Sequence, residues 1–169
     1  RGPTEHPIDL LDLLLAARDP DTAAPLDDAN IRDQCSTMLA AGFETTARML
    51  FWACYLLGLD PTEQDRVRRE VTAAPLSKTA SMDDLKRWPA VREVLLETLR
   101  LYPPAPLMIR QALARDTILG IDVKPGTLVY ISPWLIGRHR MYWDQPTAFV
   151  PSRFKDKPMP WTSGTFMPF

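Results

Sequence analysis

Six consecutive residues, Ala41-Gly42-Phe43-Glu44-Thr45-Thr46, place an acid and two hydroxyls beside a glycine in the middle of a long helical pattern. An acid next to alcohols can hold and pass protons. A buried polar group without a partner costs about 1–3 kcal/mol, and glycine in a helix interior costs about 1 kcal/mol against alanine. The small residues Ala41 and Gly42 let a large flat group approach the helix. A hydroxyl bonded outside the backbone ladder can open the helix locally. The same six residues also suit a simple helix kink, with Glu44 paired to Arg48 one turn on.

A second pair is Glu97 and Arg100, three residues apart and therefore on one helix face. Val91, Val94, Leu95, Thr98 and Leu99 form the apolar face of that helix. An exposed ion pair there would contribute only about 0–1 kcal/mol. A buried one needs further partners for the spare carboxylate oxygen and guanidinium donors. The later stretch from His139 to Phe154, with its aromatic pair and its prolines, ends on Pro151-Ser152-Arg153-Phe154 and offers such a partner in Arg153.

In this order and spacing, the three stretches resemble the cytochrome P450 family: a helix carrying [A/G]-G-x-[D/E]-T-[T/S], then Glu-x-x-Arg in Glu97-Thr98-Leu99-Arg100-Leu101-Tyr102-Pro103-Pro104, then P-x-x-F and P-x-R-F. The resemblance implies that Glu44 and Thr45 deliver protons to dioxygen, and that Ala41 and Gly42 lie against haem b. It implies a buried structural triad of Glu97, Arg100 and Arg153. Arg110 is either a partner of a haem propionate, which its fork of donors suits, or a surface arginine beside a strand. His139 is expected to make hydrogen bonds and not to bind iron. Phe169 matches the opening phenylalanine of the family's F-x-x-G-x-R-x-C-x-G loop, which places the iron-ligating cysteine seven residues beyond it. Cys35 and Cys54 lie in another element, so no ligand to the metal is expected from this chain.

The expected fold is therefore mainly α with small β elements, the C-terminal part of the P450 fold. Residues 1–169 would form a single incomplete domain, inactive alone for lack of the thiolate. The expected parent is a haem-dependent monooxygenase that takes electrons from a redoxin or reductase and inserts one atom of dioxygen into an apolar small molecule. A cofactor-less helical remnant acting as an interaction module is the alternative.

The elements that must position these residues follow from periodicity. The spacing predicts a short amphipathic helix over Ile8–Ala17, and a long helix over Asp28–Gly58, on the order of 45 Å. The second half of that helix, apolar on every side, suits burial through a protein centre, and Gly58 can cap it. Asp60-Pro61-Thr62-Glu63 starts a charged surface helix running to about Ala74. A short turn at Asp83–Arg87 precedes a helix from Pro89 to about Leu101, ended by Pro103-Pro104. Strands are expected at Leu107–Leu113, Thr117–Val123 and Leu128–Ser132, with a turn at Pro125-Gly126. From Pro133 on, a packed irregular coil is expected; ten of the 17 prolines lie from Pro103 to Pro168.

Net charge is -1, from 20 basic and 21 acidic side chains, which leaves no electrostatic footprint for nucleic acid. The longest apolar run falls short of the roughly 20 residues of a membrane span. Cys35 and Cys54 would stand about 28 Å apart along one helix, so they read as reduced core thiols of a soluble, cytoplasmic chain.

Overall fold

A computed structural model describes residues 8–77, 79–81, 83–156 and 164–168. The chain divides into two compact units, residues 1–46 and 47–169. The boundary falls inside a continuous helix. The architecture is mainly helical with short strands.

In the first unit, α1 spans Leu10–Ala16. Asp9 caps it, its carboxylate accepting from the Asp12 N–H at 2.9 Å. The following loop is tied by Asp19, whose carboxylate accepts from the Thr22 N–H and hydroxyl and from the Asp21 N–H. The Thr22 bonds, followed by Asp21, hold the Asp19 carboxyl below its ordinary range. Helix α2 then runs Asp28–Leu59. Its start is marked by Asp27, which accepts from the Asn30 N–H at 2.7 Å.

In the second unit the end of α2 departs from the sequence expectation. The helix passes through Gly58 and stops at Leu59, because Asp60 precedes a proline and leaves helical space (φ -123°, ψ 88°). The apolar second half is covered on one side only. Ala53 and Leu56 are buried, whereas Phe51 and Leu59 are 62% and 66% exposed. Cys54 is exposed and Cys35 partly so, which corrects their reading as core thiols.

Helix α3, Pro61–Ala73, begins on the Asp60 cap, which accepts from the Thr62 and Glu63 N–H groups. Helix α4, Pro89–Leu101, has no cap of its own, since Trp88 offers its amino end no side-chain acceptor. Glu70 of α3 supplies one: its two carboxylate oxygens accept from the Ala90 and Val91 N–H groups at 2.8 and 3.0 Å. Arg66, one turn earlier, bridges Glu63 and the buried Glu93. Burial lowers the Arg66 pKa, but the hydrogen bonds and charges of Glu63 and Glu93 outweigh it and the net shift is upward.

Beyond α4, strand β1 (Met108–Gln111) pairs antiparallel with β4 (Leu128–Ile131), Arg110 opposite Val129. The expected single strand over Thr117–Val123 is instead a hairpin, β2 (Asp116–Ile118) against β3 (Ile121–Val123). It turns at Leu119-Gly120, both at positive φ (50° and 81°). Leucine is an unusual first residue for such a turn, so the sequence hid it. The irregular region holds two short helical turns that the sequence reading took as coil, α5 (Pro133–Ile136) and a 3-10 turn at Pro151–Phe154, both opened by proline.

Replacing Glu70 with alanine should lower the urea midpoint of the whole protein, with a loss of about 0.5–2 kcal/mol, the range of a lost helix cap. Glutamine, which keeps an accepting oxygen, should lose less. Equal losses for both variants would show that the capping bonds contribute nothing.

Candidate functional site

The second unit is built around α4, where Glu97, Thr98 and Arg100 are at most 2% exposed. Arg100 uses every donor of its guanidinium. Its Nε and Nη2 donate to the two Glu97 oxygens, both at 2.7 Å. Its Nη1 donates to the Gly137 carbonyl and to the Pro146 carbonyl at 2.6 Å, and Nη2 also to the Ala148 carbonyl at 2.9 Å. The structure brings Arg153 to the same carboxylate: its Nε donates to Glu97 Oε1 at 2.9 Å. That oxygen also accepts from the Val150 N–H at 2.8 Å. One donor on each Arg153 Nη atom reaches a backbone carbonyl, Nη1 that of Asp144 and Nη2 that of Gln145. Breaking a buried pair so supplied leaves an uncompensated charge, at a cost of about 3–5 kcal/mol.

An aromatic floor closes this lock. The Trp143 ring lies 5.2 Å from the Arg100 guanidinium and packs among Phe154, Phe166, Leu96 and Leu99. Its indole N–H donates to the Ile136 carbonyl at 3.1 Å. Trp143 and Gly137 are the residues that sequence reasoning missed here. Trp143 belongs to the aromatic pair of the His139–Phe154 stretch, where spacing alone assigns it no role. Nothing in the local sequence singles out Gly137, yet a Cβ there would meet the Arg100 carbonyl oxygen at 2.3 Å. Only glycine fits that approach.

The acid–alcohol stretch lies in the first unit, on α2. Thr45 donates its hydroxyl to the Ala41 carbonyl one turn back, at 2.6 Å. The helix remains α-helical throughout this stretch, so the hydroxyl does not open it. Ala41, Gly42 and Glu44 are exposed, and a Cβ on Gly42 would meet nothing within 4 Å. This face has open space beside it.

Arg110 extends from β1. Its Nη1 donates to the Ile109 carbonyl at 3.0 Å, and among the described residues it forms no ion pair. His139 accepts from the Met141 N–H through Nδ1 at 3.2 Å, a local turn bond. Phe169 lies outside the described residues. Arg138 stacks against Trp134 and Tyr102, at 4.2 and 5.2 Å from the ring centres. Burial lowers its pKa, the Tyr102 phenol partly restores it, and the Arg100 charge lowers it further. No group of metal-ligating side chains occurs among the described residues, and no described helix is long and apolar enough to cross a membrane.

The family model described as cytochrome P450 matches residues 1–169. A chloroplastic cytochrome P450 97B2 of Glycine max is 37% identical over 78% of this chain and 24% of its own length. Cyclooctatin synthase of Streptomyces melanosporofaciens is 34% identical over 95% of this chain and 35% of its own. A solved zebra fish cytochrome P450 with progesterone superposes with a TM-score of 0.81 at 28% identity, covering 96% of this chain and 38% of that one. The chain therefore spans well under half the length of the proteins it matches.

Gly137→Ala should be the more damaging single change at the lock, since the backbone must move to admit a methyl group. Arg153→Lys keeps the charge but loses the fork, and should cost less than Glu97→Ala, which strands two guanidinium groups. Thermal melts of the whole protein would rank the three. An unperturbed Gly137→Ala melt would contradict the close approach.

Proposed function

Because the chain belongs to the cytochrome P450 family, we propose that it is part of a haem-dependent monooxygenase inserting one atom of dioxygen into an apolar small molecule. Electrons would come from a redoxin or reductase. One observation carries the reading: on a chain matched by the family over its whole length, the acid–alcohol motif stands in mid-helix with its threonine hydroxyl fixed at one atom. Relatives named as monooxygenase or oxygenase, such as cyclooctat-9-en-7-ol 5-monooxygenase and tabersonine 3-oxygenase, agree with it.

The residues present fit haem b. Ala41 and Gly42 leave open space on the α2 face where a flat macrocycle could lie. Arg110, without an ion pair among the described residues, suits a propionate. These residues lie in different units, and it is the family resemblance that joins them in one assignment. Bound haem supplies the activation of dioxygen, with a cysteine thiolate as the family's ligand.

The chain's own part is proton management. Thr45 donates to the Ala41 carbonyl, so its one hydrogen is committed and its oxygen is left to accept. It therefore holds a water by accepting its hydrogen bond, at a position fixed by the helix. Glu44, the neighbouring acid, exchanges protons with solvent. Glu97, Arg100 and Arg153 act only by holding the irregular segment in shape.

In the whole protein carrying this chain, the reduced carbon monoxide difference spectrum should show a thiolate-type band; a band of another type, or none, overturns the reading. Thr45→Ala should divert reducing equivalents to peroxide, and product that stays stoichiometric with electrons consumed would remove Thr45 from the proton path. Arg110→Ala should weaken haem retention, measured by transfer to apomyoglobin.

A further inference from the structure

The β2–β3 hairpin of the second unit carries a costly residue choice at its tip. Its strands pair Ile118 with Ile121, and Leu119-Gly120 makes the turn between them. Leu119 holds φ 50° there. That is the left-handed region, where a leucine Cβ crowds the backbone and where asparagine, aspartate or glycine ordinarily stands. Burial does not offset the strain, since Leu119 is 97% exposed. A strained residue that packs against nothing in its own fold points to a role outside it.

The neighbours of Leu119 extend the same property. Ile121 is 69% exposed and Ile118 42%. Paired directly across the strands, these two side chains share one face, and Leu119 stands at the end beyond them. Residues 118–121 carry no charge. The first charge after them, Asp122, is held by Arg115 through two bonds at 2.9 Å. Entry of the tip into an apolar layer therefore strands no free carboxylate. Behind the tip the balance is positive: from Met108 to Ile131 stand Arg110, Arg115 and Lys124, against Asp116 and Asp122. Lys124 is exposed and forms no ion pair among the described residues.

From this tip we propose that the β2–β3 hairpin docks the protein on an anionic lipid surface. Ile118, Leu119 and Ile121 enter the boundary between headgroups and acyl chains, and Lys124 meets the headgroups. The attachment is interfacial and spans nothing. A fluid layer accepts three apolar side chains that diverge from a turn, whereas a fixed pocket must match each of them. The left-handed turn carries a leucine beyond the ends of the strands, where an asparagine would offer the layer no apolar surface. The docking element lies wholly within residues 108–131 and does not depend on the haem assignment.

The test uses the whole protein that carries this chain and measures its partition onto vesicles by co-sedimentation. One set of vesicles holds equal parts phosphatidylcholine and phosphatidylglycerol, the other phosphatidylcholine alone. Wild type should bind the mixed vesicles. Leu119→Asn suits the turn and removes the apolar side chain. Its partition should fall about tenfold, the loss expected from one leucine no longer buried, while the urea midpoint stays or rises. Lys124→Gln should weaken binding to the mixed vesicles severalfold and leave binding to the pure ones unchanged. Absence of wild-type binding, or unchanged partition in Leu119→Asn, would overturn the proposal. So would a lowered urea midpoint in Leu119→Asn, which would place Leu119 against another part of the protein. Sedimentation of wild type without vesicles, abolished by the same variant, would overturn it in favour of a second copy as the occupant.

Discussion

The guanidinium of Arg100 is the constraint from which the second unit is built. All of its donors are used inside the protein, two on Glu97 and the rest on the carbonyls of Gly137, Pro146 and Ala148. A regular strand or helix spends its carbonyls on its own ladder and has none to turn inward. The segment after α5 must therefore be irregular, and its prolines make it so by withholding N–H groups that would otherwise demand partners. Disorder of pattern here is a requirement of a buried charge. Arg153 extends the same logic by collecting the Asp144 and Gln145 carbonyls. Gln145 takes a left-handed backbone conformation to present its own (φ 45°).

A buried charged helix needs its position fixed before such bonds can form, and α3 does this. Glu70 satisfies the amino end of α4, where two free N–H groups and the positive end of the helix dipole favour a carboxylate. Arg66 neutralises Glu93 on the side facing α3. The charged character of α3 looks from sequence like a solvated face, and part of it is. Arg68, Arg69 and Asp65 pair among themselves at the surface. The remaining charges are the means by which α3 holds α4.

How much the sequence disclosed depended on whether the deciding interaction was local. The cap at Asp60 and the start of α4 at Pro89 are properties of a few adjacent residues, and they could be read, whereas the Asp9 cap lay inside the helix expected from Ile8. The grouping of Glu97, Arg100 and Arg153 spans more than 50 residues; the hydrogen bond from Arg153 to Glu97 has a separation of 56. It became legible only through family spacing. Gly137 and the Glu70 cap had neither route, because each is defined by backbone brought close from a distant element. The Leu119-Gly120 turn was hidden for the opposite reason: a local choice that defies turn preference.

Three arginines of this chain show why residue type alone could not assign roles. Arg100 is fully supplied with acceptors and has nothing left to offer a ligand. Arg138 is held by π faces, between Trp134 and Tyr102, where a planar delocalised cation is tolerated and an ammonium would keep its water. Arg110 spends one donor on the carbonyl of the preceding residue, and among the described residues it pairs with no acid. An arginine forming structure is recognised by what holds it, acceptors around Arg100 and aromatic faces around Arg138. One able to take an anion is recognised by the donors it still has.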